Sequence, residues 1–143
     1  MTPPTESEWK EIAFDIPAIF AFHEFYGKTH DEAIEAIYKN PVERAFDLGH
    51  MAKKPFQYYM LAYQDYVLAN KFKPDNEKAS YACFFAIFCS IAEHKPDYLQ
   101  PILSKVIKLV TYIANNQQAL NLTDEAFGDF SGLLNIALGN LKK

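Results

Sequence analysis

With 143 residues, half of them hydrophobic and 22 aromatic, the chain is long enough to bury a core and too apolar to be disordered. Its net charge of −4, from eighteen acids against thirteen lysines and the single arginine Arg44, argues against nucleic-acid binding, which leans on clustered arginine and lysine. Residues 1–47 carry ten acids and four bases and residues 48–143 carry eight and ten, so the amino-terminal third suits a basic partner or a simply solvated face.

In chain order, Met1 to Pro4 reads as a frayed lead-in, and Thr5 to Glu8 has capping-box spacing for a short helix that carries Trp9, Ile12 and Phe14 inward. Asp15-Ile16-Pro17 restarts the helix and Gly27 stops it. Ile16, Ile19, Phe20, His23 and Tyr26 share one side, expected to be the buried one. That would make His23 a satisfied core histidine rather than a ligand or proton carrier. Thr29 to Glu32 is a second capping box. It opens a helix with Ala33, Ile34, Ile37 and Tyr38 inward and Asp31, Glu32, Glu35 and Lys39 outward.

Asn40-Pro41 divides that helix from another, which is expected to bury Val42, Ala45, Phe46 and Leu48 before Gly49. His50 to Lys54 reads as an exposed basic linker. Pro55 then opens a long helix with a broad face of Phe56, Tyr59, Met60, Tyr63, Tyr66 and Val67. Tyrosines so spaced sit at a core edge or line a binding surface.

After a loop at Lys71 to Pro74, the run SYACFFAIFCSIA (Ser80 to Ala92) marks the central helix, at about 77–93. Tyr81, Phe84, Phe85, Phe88 and Ile91 form a bulky arc, and Ala82, Ala86 and Cys89 a small one flanked by Cys83 and Ser90; both are expected to be buried. The run is shorter than the ~18 apolar residues that a membrane span needs. Cys83 and Cys89 are six apart on one helix and cannot pair there, which fits free thiols in a reducing cytosol, as does the lack of a leader-like segment.

Tyr98 to Asn115 follows as one helix through Ile102, Leu103, Val106, Leu109, Val110 and Ile113. The last helix starts at Thr123 with Phe127, Phe130, Leu134, Ala137, Leu138 and Leu141 inward and Gly128, Gly132 and Gly139 on its other face. The pattern is all-α, a single domain over 1–143 with about seven helices around the central one.

No residue set has the spacing of a catalytic, cofactor or metal site. His23-Glu24 lacks the second histidine of a zinc helix, and Asp47 and His50 read as a surface pair across Gly49. Gly128 to Gly132 has the wrong spacing for a nucleophile elbow. The chain is therefore read as a non-enzyme.

The stretch FAFHEFYGKTHDEAIEAIYKNPVERAFDLGHMAKKPFQYYMLAYQDYV (Phe20 to Val67) resembles the small, acidic, all-helical immunity proteins that protect bacteria from toxins delivered by contact with neighbouring cells. The resemblance implies a cytoplasmic protein that binds a cognate toxin domain, often a basic nuclease, and blocks it. The outward acids Glu24, Asp31, Glu32, Glu35 and Glu43, with Tyr58 or Tyr66 as aromatic anchors, are then the expected partner surface. The alternative is a small-molecule binder or enzyme with an aromatic-lined pocket near Tyr59, Tyr63, Phe84 and Phe88. Nothing in the sequence fixes an oligomeric state.

Overall fold

A computed structural model describes residues 2–142, and its regular structure is helical throughout. Seven helices have eight residues or more: α2 (Ile16–Phe25), α3 (His30–Lys39), α4 (Pro41–Leu48), α5 (Lys53–Ala69), α6 (Glu77–His94), α8 (Leu103–Asn115) and α10 (Phe130–Leu141). Single turns α1 (Glu6–Trp9), α7 (Pro96–Leu99) and α9 (Asp124–Phe127) link them, and α7 runs into α8 through a 3₁₀ turn at Gln100–Ile102.

The boundaries follow from local chemistry. Both predicted capping boxes form: Thr5 and Thr29 accept from the backbone N–H groups of Glu8 and Glu32, and each glutamate reaches back to the threonine N–H. Asp15 caps α2 through the Ala18 N–H at 3.1 Å. Asn40 ends α3 and caps α4, ahead of Pro41 at a position where no N–H is needed. Gly27 leaves α2 at φ +79°, a left-handed conformation that most side chains resist.

The long helices α5 and α6 act as two hubs. α1 and α3 pack on α5, α10 packs on α6, and α4, α7 and α8 touch both; α2 reaches the core beside α4. Phe84, Phe85, Phe88 and Ile91 are buried, as the bulky arc predicts, and the Phe85 ring stacks on Phe130 of α10 at 4.1 Å. On α5 the tyrosines are core. Tyr59 Oη lies 2.7 and 2.8 Å from the carbonyl oxygens of Phe25 and Lys28, Tyr63 donates to the Pro41 carbonyl at 2.9 Å, and Tyr66 meets Ser80 Oγ at 2.8 Å. Each hydroxyl thereby satisfies a buried polar group and pins a neighbouring segment to α5.

Several expectations fail, each for a local reason. α2 buries Ala18, Ala21 and Phe25, so Ile16, Phe20, His23 and Tyr26 stand exposed, and His23 is not a core histidine. Both sides of this helix are apolar, and the side with two alanines lets it approach its neighbours closely. α4 likewise buries Ala45 and Leu48 but exposes Val42 and Phe46, and Tyr38 emerges at the edge of α3. The segment at 50–54 is no exposed linker: Met51 and Ala52 are buried and α5 starts at Lys53.

The small arc of α6 is half-open rather than buried: Ala82, Cys83 and Cys89 are partly covered, and Ala86 and Ser90 are exposed. With Phe127 and Leu133 it lines a shallow apolar recess beside α10. Pro101 has no N–H for the helical ladder, and the expected 98–115 helix breaks into α7, the 3₁₀ turn and α8. Gly128, at φ +83°, likewise splits the last helix into α9 and α10 and leaves Phe127 half-exposed.

Candidate protein-binding face

The acidic residues singled out in the sequence fall on α2, α3 and α4. Glu24, Glu32 and Glu35 border one shallow recess of about 360 Å³ between these helices, and Lys28, Lys39 and Arg44 border it too. Asp31, on α3, and Glu43, on α4, are exposed outside it. The five carboxylates therefore sit among three cations, and the face keeps a net charge of about −2.

Arg44 organises this face. Its side chain is mostly buried, and its guanidinium reaches Asp47 at 2.8 Å, Glu24 at 3.0 Å and Glu43 at 3.5 Å. The planar fork of arginine lets one side chain hold three carboxylates, which a lysine could not do with the same geometry. Asp47 is buried beside it rather than exposed next to His50, which overturns the surface pair expected from the sequence. Burial pushes the Asp47 carboxyl up to about 6, even though Arg44 pulls the other way and Glu24 and Glu43 add repulsion.

The other acids are held more loosely. Glu32 sits below the ordinary carboxylate range because the Thr29 backbone and hydroxyl donate to it in the capping box. Lys39 lies 3.7 Å from Glu35, an exposed i, i+4 pair, and the Lys28 ammonium donates to the Glu24 carbonyl. Asp31 makes no ion pair among the described residues.

Neither tyrosine proposed as an anchor belongs to this surface. Tyr66 is 1% exposed with its hydroxyl on Ser80, and Tyr58 is 7% exposed with its ring 4.3 Å from His30, whose Nε2–H donates to the Tyr58 carbonyl at 2.9 Å. The apolar groups that do stand out are ones the sequence reading placed inside. Eleven large apolar side chains are exposed among the described residues, and six of them, Ile16, Phe20, Tyr26, Tyr38, Val42 and Phe46, lie on or at the ends of α2, α3 and α4.

On the wheel of α2, Ile16, Phe20 and His23 point directly away from the buried Ala18, Ala21 and Phe25. Arg44 marks the flank of α4 that meets α2, and Gly49, whose α-carbon side lies near Ile87, marks the flank that meets α6. Val42 and Phe46 project outward between those flanks, with the His50 ring 4.6 Å from Phe46. The signal that could have revealed this was available: alanines at 18, 21 and 45 mark the close-packed sides.

Chemistry of other kinds finds little footing. Tyr59, Tyr63, Phe84 and Phe88, around which a pocket was expected, are packed into the core with essentially no accessible surface. Burial raises the Cys83 thiol and takes Cys89 up to about 11, so both are protonated at neutral pH. Among the described residues no group of three His, Cys, Asp or Glu side chains could hold a metal ion, and no helix is long and apolar enough to cross a membrane. Comparison with protein-family models, curated proteins and solved structures finds no significant match.

Proposed function

We propose that this protein is a non-catalytic binding module of the immunity type. It acts in the cytoplasm, and it engages a basic toxin domain through the outward face of α2, α3 and α4. The observation that carries this reading is the coincidence of two features on the same three helices. Exposed apolar side chains such as Phe20 and Phe46, each over 60% accessible, lie on the same three helices as the five carboxylates. A desolvating apolar centre with a charged rim is the usual anatomy of a protein interface, in which the aromatic anchors supply affinity. The net negative rim would draw in a lysine- and arginine-rich partner and make association sensitive to salt.

Two kinds of substitution separate these contributions, using a basic toxin domain encoded beside this gene as the partner. Phe20→Ser and Phe46→Ser remove exposed rings, so the fold should survive while dissociation quickens and affinity falls by more than about tenfold, equivalent to ~1.4 kcal/mol. Asp31→Lys with Glu35→Lys spares the Thr29 capping box and the Arg44 network, and should slow association and reduce its salt dependence. Co-purification and growth rescue on co-expression report the complex. Wild-type binding and protection by both sets of variants would leave this face merely solvated and the reading without support.

A further inference from the structure

A cleft of about 420 Å³ lies between α5 and α8, with Tyr81 of α6 also in its lining. Its volume falls in the range of small-molecule sites, roughly 300–1,000 Å³. Val67 and Leu109, both nearly inaccessible, form its floor, and Leu68 and Tyr112 form exposed apolar walls. Lys105 and Lys108 stand one turn apart on its α8 rim, and no carboxylate lines it.

Neither lysine forms an ion pair among the described residues, whereas Lys10, Lys39 and Lys53 do. The Gln64 amide braces the two helices that form the cleft. Its Nε2–H donates to the Lys105 carbonyl at 3.0 Å and ties α5 to α8. That bond fixes the orientation of the amide, because the reversed one would set two oxygens against each other, and it leaves Gln64 Oε1 buried without a partner.

We infer that the α5/α8 cleft binds a small amphipathic anion, with its acid group between Lys105 and Lys108 and its apolar body on Val67, Leu68, Leu109 and Tyr112. Two lysines and no acid select against neutral and cationic ligands. Floor residues withdrawn from solvent favour a hydrocarbon or aromatic body over a simple inorganic ion. The site is separate from the acidic face, and neither reading depends on the other.

The test uses octanoate as the probe, titrated into the full chain by calorimetry, with octan-1-ol and octylammonium as matched neutral and cationic probes. Saturable binding of octanoate is expected, at least about tenfold tighter than either analogue. Lys105→Glu with Lys108→Glu should weaken octanoate by about tenfold or more with no change in thermal unfolding, because both side chains are exposed. Leu68→Trp, also at an exposed position, should obstruct the cleft and weaken octanoate likewise. No saturable binding at about 1 mM octanoate, equal affinity for octan-1-ol, or unchanged affinity in the lysine variant would each overturn the inference. So would binding seen only on vesicles of anionic phospholipid, which would make the feature a membrane contact rather than a cleft for a free anion.

Discussion

Arg44, the only arginine in the chain, shows how one residue sets the chemistry around it. Its contact with the buried Asp47 is short, yet burial prevails and leaves Asp47 near 6 against an ordinary 3.8. An acid whose folded-state value is raised contributes stability that is present below its unfolded value and lost as pH rises through the folded one. The stability of the wild type relative to Asp47→Asn, from urea unfolding, should accordingly fall between about pH 4 and 6.5. A difference that is flat or rises with pH would mean that the Arg44 contact keeps the carboxylate charged throughout. Core packing gives a paired prediction on α6. Phe88 has no accessible surface, and Phe88→Ala should cost about 3–5 kcal/mol. Ala86 faces the half-open recess, so Ala86→Leu should change stability by less than about 0.5 kcal/mol, whereas a buried close contact there would cost ~1–3.

At the scale of elements, the glycines near the carboxy terminus are not equivalent. Gly128 sits at φ +83° between α9 and α10, and Gly128→Ala should destabilise the protein by about 1–2 kcal/mol. Gly139 lies inside α10 with open space where a β-carbon would go, so Gly139→Ala should stabilise by up to ~1 kcal/mol. At Gly132 a β-carbon would come 2.9 Å from Asp129 Oδ2, and the sign of Gly132→Ala depends on whether that side chain can swing away. Thermal unfolding of the first two variants should move in opposite directions; a shared direction would place the α9/α10 break elsewhere. Helix existence and capping were legible in the sequence because they depend on neighbours three or four residues apart, as at Thr5, Asp15, Thr29 and Asn40. Which side of α2 or α4 turns inward was marked only by the alanines at 18, 21 and 45, because large apolar residues occupy both sides and the choice rests on partners distant in the chain. For the same reason the acids of the candidate face were identified in the sequence, while its apolar centre at Phe20 and Phe46 was assigned to the core and Tyr66 to the surface.

Taken whole, the molecule sets its candidate acidic face on α2 to α4, an open cleft between α5 and α8, and most of its phenols inside. Six of the nine tyrosines are buried, and three of them on α5, Tyr59, Tyr63 and Tyr66, use their hydroxyls to hold α2, α4 and α6 in place. Burial raises their ionisation above the ordinary value of 10, so the stability they lend is complete below that pH and lost as pH climbs past it. The chain thus carries its own optical record of alkaline collapse. In a titration followed by phenolate absorbance, the six buried tyrosines should change together, in one steep step that coincides with the loss of helical circular dichroism. A shallow ionisation of the buried tyrosines while the helices persist would mean that these hydroxyls are not what joins the helices to α5.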